Sequence, residues 1–229
     1  MRERRTTMRP IAVFDLDGTL VDTAPDLIAS LNHVLAQAGL APVDVESFRP
    51  FAGRGGRVMI ETAFARARRS LDAETLAPML AAFIAHYGDS MPGTSRLYPG
   101  GQEALDRLEQ AGMLLAICTN KPENLALRLL DRLGLTQRFA SIAGADTYAW
   151  KKPDPRHLLS TVAAAGGDPA RAVMIGDTAT DVDTAKAAGI PVIAVAFGYS
   201  ATPVRSLEPS AVIDHFDALT PGLLDRLAR

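Results

Sequence analysis

Apolar residues follow two rhythms along this chain, and the points where the rhythm changes outline the fold. Ile11 to Phe14 form a short continuous apolar run, the pattern of a buried strand. The period then lengthens. Leu27, Leu31, Val34, Leu35 and Ala38 recur at helical spacing, and Gly39 closes the run. Residues 57–69 and 72–87 also read as helices, with Met59, Ile60, Ala63, Phe64 and Ala67 lining one face of the first. Nothing strand-like occurs between about residue 23 and residue 95, so this block reads as an all-helical insertion. Met91-Pro92-Gly93 and Tyr98-Pro99-Gly100-Gly101 mark turns where the chain leaves it.

From residue 102 helices and strands alternate: helix 102–111, strand 113–118, helix 122–133, strand 140–144, helix 155–166, strand 172–175, helix 180–188 and strand 191–195. Val212 and Ile213 suggest a late strand before a last helix over 216–228. Such alternation predicts right-handed βαβ units and a parallel sheet covered by helices on both faces. The expected fold is therefore α/β, a Rossmann-like parallel-sheet core made of residues 1–22 and 96–229, interrupted by a helical domain of residues 23–95. No internal repeat or low-complexity segment is evident. In open parallel sheets ligands bind beyond the carboxyl ends of the strands, so chemistry is expected just after each apolar run.

Composition narrows the function classes. With 24 basic and 26 acidic residues the net charge is −2, which gives no electrostatic argument for nucleic acid or an anionic membrane as partner. No apolar stretch approaches the ~18 residues needed to span a bilayer. The basic start, Arg2-Glu3-Arg4-Arg5, precedes an apolar run too short for a signal peptide; the first nine residues read as a frayed tail, with Met8 a candidate start. The single cysteine, Cys118, excludes an intramolecular disulfide and is compatible with a reducing cytoplasm. It lies within an apolar run and reads as a core residue. His33, His86, His157 and His215 lack metal-ligand spacing, which argues against zinc.

The strand ends do carry chemistry. Asp15 and Asp17 follow the first apolar run, and residues i and i+2 of extended chain point the same way. Two carboxylates so close need relief, and a hard cation such as Mg2+ with oxygen ligands supplies it. Gly18 permits a tight turn directly afterwards. Strand 113–118 runs into Thr119-Asn120-Lys121-Pro122, a hydroxyl and backbone N–H groups at a helix start, which suit phosphate. Asn120 is a candidate helix cap or phosphate donor, and Lys121 either a solvated cation or a substrate contact. Lys151-Lys152-Pro153-Asp154-Pro155 precedes the next helix, and Gly176-Asp177-Thr178-Ala179-Thr180-Asp181 follows strand 172–175.

These four motifs, with Asp15-Leu16-Asp17-Gly18-Thr19 first, resemble in kind and order the aspartate-nucleophile phosphatases of the haloacid dehalogenase superfamily. The resemblance implies that Asp15 attacks phosphorus, giving an aspartyl-phosphate, while Asp17 acts as general acid and then base. It implies that Thr119 and Lys152 bind the phosphoryl oxygens, with Lys151 facing solvent. It further implies Mg2+ held by Asp15, Asp177 and the Asp17 carbonyl, with Asp181 orienting the site from behind.

The helical block 23–95 is similar to the cap of that superfamily, which closes over the site and reads the leaving group. In its loop Phe51–Arg57 the glycines permit backbone approach to a small ligand, and Arg54 or Arg57 is a candidate carboxylate ligand. Asp22-Thr23-Ala24-Pro25-Asp26, Tyr98-Pro99-Gly100, Thr119-Asn120-Lys121-Pro122 and Lys152-Pro153-Asp154-Pro155 resemble the phosphoglycolate phosphatase branch. They imply a small phosphorylated metabolite, 2-phosphoglycolate first, with sugar or amino-sugar phosphates, pyrophosphate and β-phosphoglucomutase-like transfer as alternatives. Asp17 argues against a dehalogenase, and the absence of lysine from residues 23–95 against a phosphonatase. A non-catalytic module on the same fold is disfavoured because every expected group is present. Oligomeric state is not readable from the chain.

Overall fold

A computed structural model describes residues 8–228. Six strands pair side by side, all parallel: β1 (Arg9–Phe14), β4 (Leu114–Cys118), β5 (Ser141–Ala143), β6 (Gly167–Gly176), β7 (Val192–Val195) and β8 (Ala211–Ile213), in the order β5-β4-β1-β6-β7-β8. β1 sits between β4 and β6, with Phe14 level with Ile117 and Ile175. Alternation along β1 divides the core. Ala12 and Phe14 enter one apolar cluster, Ile11 and Val13 the other, and all four are fully buried. Helices α7 (Pro155–Ala164) and α8 (Ala179–Ala188) cover the second cluster with Leu158, Val162, Val182 and Ala185. Helices α5 (Gly101–Gln110), α6 (Glu123–Arg132) and α9 (Pro221–Leu227) cover the first with Leu105, Leu129 and Leu224. A strand buried on both faces needs apolar residues throughout, hence the unbroken run at Ile11–Phe14. Each such Ile, Val or Phe contributes roughly 1.5–3 kcal/mol relative to exposure.

Between the two-residue strands β2 (Val21–Asp22) and β3 (Arg96–Leu97) lie four helices: α1 (Ala24–Gln37), α2 (Val45–Ala52), α3 (Gly56–Arg66) and α4 (Ala73–Ser90). α1 packs on the other three, forming the helical cap. β2 and β3 pair antiparallel, Val21 with Leu97 and Asp22 with Arg96, so the chain leaves and re-enters the sheet domain at one place. Asp26, in the first turn of α1, fastens this junction. Its carboxylate accepts from Thr94 N at 2.8 Å, Thr94 Oγ1 at 3.0 Å, Ser95 N at 3.1 Å and Ser95 Oγ. Burial opposes ionisation of Asp26, yet these donors outweigh it and hold its pKa below the usual value.

Four expectations need correction. The tail expected over residues 1–9 falls outside the described residues up to residue 7, but Arg9 already belongs to β1 and donates to the Gly112 carbonyl at 2.7 and 2.9 Å. α2 went unpredicted because it is short and carries Pro50; it forms on an Asp44 cap, which accepts from Ser47 N at 3.1 Å, and buries Phe48. β6 begins at Gly167, ahead of the expected strand, because Gly167 pairs with Arg9 before a register shift restores Ala172 opposite Ile11. The last helix is broken. A 3₁₀ turn at Phe216–Ala218 precedes α9, which restarts at Pro221 behind the Thr220 cap, since proline fits a first helical turn but not an interior. No described helix is long and apolar enough to cross a membrane.

Candidate active site

The carboxyl ends of β1, β4 and β6 converge on one cavity of about 630 Å³, whose walls include Asp15, Asp17, Thr119 and, from the cap, Arg54, Arg57 and Tyr87. Asp15 continues β1, its N–H donating to Ile175 O at 2.9 Å. Its Oδ1 accepts from Leu16 N at 2.7 Å and lies 3.0 Å from Lys152 Nζ. Burial pushes the Asp15 carboxyl up to about 6, against the pull of Lys152 and with a push from Asp181. Lys152 also meets Asp181 Oδ1 at 2.6 Å. Burial works against its ammonium, but the two carboxylates more than offset that and raise its pKa.

Asp177 closes β6. Its Oδ1 accepts from Thr19 Oγ1 at 2.8 Å and its Oδ2 from Tyr199 N at 2.7 Å. Burial, then Asp181 and Asp15, raise its pKa well above the carboxylate range. Asp15, Asp177 and Asp181 each bring a carboxylate oxygen within 4.8 Å of the others. Buried carboxylates that cannot comfortably ionise together form a hard-oxygen donor set suited to a divalent cation. Asp181 is already committed: Oδ1 to Lys152, and Oδ2 to Thr178 N at 3.0 Å, Thr178 Oγ1 at 2.8 Å and Asp177 N at 3.3 Å. The Asp17 carbonyl, by contrast, accepts no hydrogen bond among the described residues. Asp15 and Asp177 accept two side-chain contacts each against four on Asp181, so theirs are the carboxylate oxygens most open to a divalent cation.

The Asp17 carboxylate is absent from that acid cluster. It lies 3.0 and 3.2 Å from Lys121 Nζ and accepts from Thr23 Oγ1 at 2.7 Å. The two acids of the pair thus do not share one source of relief: Lys152 serves Asp15 and Lys121 serves Asp17. Thr119 is buried at the end of β4, its N–H on Ala143 O at 3.0 Å and its Oγ1 accepting from Lys121 N at 3.2 Å. Asn120 does not cap α6, where Pro122 holds the cap position; it lines the cavity, and its amide donates to the Lys152 carbonyl at 2.9 Å and ties that loop to β4. Lys151 is exposed. Arg54 is exposed on the loop before α3 and Arg57 is exposed in the first turn of α3, 3.8 Å from Glu61.

Of the two readings offered for Lys121, a solvated cation or a substrate contact, the structure removes the first, since it is buried with Tyr87 and Asp17. Other residues escaped the sequence reading. Tyr199 spans the site: its N–H holds Asp177, and its hydroxyl accepts from Thr23 N at 2.6 Å and Ala24 N at 2.7 Å and donates to Asp22 Oδ1 at 2.8 Å. Gly198 packs so closely on Asp177 that a Cβ would come within 2.2 Å of the aspartate Cβ. Gly18 turns with φ +83°, and a Cβ there would meet Asp177 Oδ2 at 2.5 Å. His33 and His86, remote in sequence, stack with centroids 4.2 Å apart between α1 and α4.

Residues 12–195, most of the chain, match the haloacid dehalogenase-like hydrolase family. The chain belongs to that family. This haloacid dehalogenase-like hydrolase is 62% identical over 221 residues to the phosphoglycolate phosphatase of Mesorhizobium japonicum, a match covering 96% of this chain and 97% of the relative. It is 52% identical over 220 residues to the phosphoglycolate phosphatase of Agrobacterium fabrum, covering 96% and 94%. Among solved structures it is similar to a predicted phosphoglycolate phosphatase of Haemophilus somnus, with a TM-score of 0.84 at 29% identity over 92% of this chain and 96% of that one. The chain is an enzyme, a hydrolase with a parallel-sheet core and a helical cap.

Proposed function

We propose that this hydrolase cleaves a small phosphomonoester through an aspartyl-phosphate on Asp15, with Mg2+ as cofactor and 2-phosphoglycolate as substrate. The observation that carries the reading is a buried acid at the end of β1, bracketed by Lys152, with a second acid held separately by Lys121. The names of relatives matched over nearly the whole chain support the choice of substrate.

Phosphoryl transfer needs positioning and charge neutralisation above all. Asp15 is the nucleophile, its carboxylate aimed by the Leu16 N–H and by Lys152. Lys152 and the Thr119 hydroxyl bind phosphoryl oxygens where negative charge spreads. Asp17 gives a proton to the departing alkoxide, then takes one from the water that hydrolyses the aspartyl-phosphate. Asp181 keeps Lys152 beside Asp15. Mg2+ bound by Asp15, Asp177 and the Asp17 carbonyl supplies the positive charge that two carboxylates and a phosphate dianion require together. Arg54 and Arg57 add positive charge at the cavity mouth, and Asn120 steadies the Lys152 loop. We assign residues 1–22 and 96–229 to the core and 23–95 to the cap, and a buried free Cys118 suits the reducing cytoplasm.

Phosphate release tests this directly, over a panel of 2-phosphoglycolate, pyrophosphate, hexose phosphates and amino-sugar phosphates. With Mg2+ the native chain should favour 2-phosphoglycolate, chelation with EDTA should stop turnover, and Asp15→Asn should abolish it. Full activity of Asp15→Asn would refute the nucleophile, and preference for another ester would replace the substrate.

A further inference from the structure

Beside Asp17 the cavity wall holds two donors that the phosphoryl chemistry leaves unassigned. Lys121 follows the phosphate-binding turn of the core, and Tyr87 comes from α4 of the cap. Lys121 Nζ donates to Tyr87 Oη at 2.8 Å while facing both Asp17 oxygens at 3.0 and 3.2 Å. Its side chain is 4% exposed, and Tyr87 is 1% exposed. Burial pushes the Tyr87 phenol up to about 12 and keeps its proton in place. Tyr87 Oη accepts from Lys121, and no acceptor takes its own proton among the described residues. The ammonium spreads its remaining donors over both oxygens of one carboxylate, and one such contact can close while the other turns to a ligand. An N–H and an O–H from two buried side chains therefore converge on the cavity, where a second anion would be held strongly.

We propose that Lys121 and Tyr87 form the receptor for a substrate carboxylate, and so select phosphate esters of 2-hydroxy acids. The inference rests on the phosphomonoesterase reading, with Asp17 facing the leaving oxygen. In such an ester the carboxylate is attached to the very carbon that bears the ester oxygen. A substrate whose ester oxygen meets Asp17 thus brings its carboxylate beside the cation already bonded to Asp17. Phe83 and Leu125 line the same cavity and give a hydroxyl-rich sugar nothing to bond. Arg54 and Arg57 are worse placed for this task, since both are exposed and Arg57 already faces Glu61. Because Tyr87 belongs to the cap and Lys121 to the core, the substrate carboxylate also joins the two across the cavity.

The test compares 2-phosphoglycolate with ethyl phosphate, in which a methyl group replaces the carboxylate. The readout is the ratio of their kcat/KM values, which cancels any general loss in a variant. The native chain should favour 2-phosphoglycolate. Lys121→Met should cut that preference roughly 10–100-fold, the worth of a charge-assisted hydrogen bond. Tyr87→Phe, a conservative change, should cut it roughly 3–10-fold, and it decides alone if Lys121→Met fails to fold. A native preference that survives in the variants overturns the receptor; loss of preference in Arg54→Ala alone would then place the carboxylate on the cap loop. A native ratio near one overturns the substrate reading and the receptor with it, so the two failures are distinct.

Discussion

Removing one oxygen atom from Tyr199 should loosen the root of the cap. Its hydroxyl is the cap of α1: it accepts from the N–H groups of Thr23 and Ala24 at 2.6 and 2.7 Å. Thr23 makes no side-chain cap for its own helix; its Oγ1 turns instead to Asp17, to which it donates. Both residues are fully buried, so in Tyr199→Phe no water reaches the stranded donors. An unsatisfied buried N–H costs about 1–3 kcal/mol. Asp22 Oδ1, which already sits 3.4 Å from Ala24 N, recovers part of one bond. The ring stays, so its packing against Gly18 and Gly53 is kept. The expected loss is therefore about 2–4 kcal/mol. Urea unfolding followed by circular dichroism should show it as a lower midpoint with an unchanged slope. A loss below about 0.5 kcal/mol would refute the argument that this hydroxyl caps α1.

Two further outcomes follow from other features. Gly198→Ala should destabilise the chain by about 1–3 kcal/mol and cut Mg2+-dependent turnover severely, because the new Cβ would overlap the Asp177 Cβ, 2.2 Å away, and the Gly18 carbonyl, 2.6 Å away; a differential unfolding and metal-titration comparison with native chain checks both. His157 is buried with its Nε2 unpartnered, and burial, helped by Lys152, lowers its pKa from 6.5 to about 4. A histidine neutral in the folded chain but protonated in the unfolded one contributes stability that is complete above pH 6.5 and lost as pH falls toward 4. At pH 5 that loss is about 2 kcal/mol, and His157→Gln should remove that share of the pH dependence in urea titrations at pH 7.5 and 5; an identical pH response would exclude His157 as its source.

What could be read from the chain followed physical necessity. Strands buried on both faces must be apolar throughout, so β1, β4 and β7 stood out, and the sheet then dictated that Asp15, Thr119 and Asp177 lie at neighbouring strand ends. What stayed hidden depended on distant chain segments meeting. Nothing local distinguishes Lys121, buried against Tyr87 34 residues earlier, from Lys151, which is exposed. Tyr199 lies in an unremarkable Gly-Tyr-Ser turn, yet it reaches residues some 176 positions away. Periodicity also fails for short elements: α2 has too few turns to show a stripe, and the polar Asp168 to Arg171 disguise the start of β6. The two-acid pattern at Asp15 and Asp17 was legible, and the resemblance implied Lys152 beside Asp15, but the pairing of Asp17 with Lys121 was not, because that cation arrives from another loop.

The pairing of Asp22 with Arg96 has a consequence for how such a chain can diversify. Ladder partners lie about 5 Å apart, so to the core the intervening segment is a closed loop whose ends already meet. Closing a flexible loop of that length costs only roughly 2 kcal/mol more than closing a tight turn. Lengthening, shortening or exchanging that segment therefore leaves the register of the sheet untouched. Inheritance can revise the helical segment, one insertion at a time, while the strand ends that carry Asp15, Thr119 and Asp177 stay where they were.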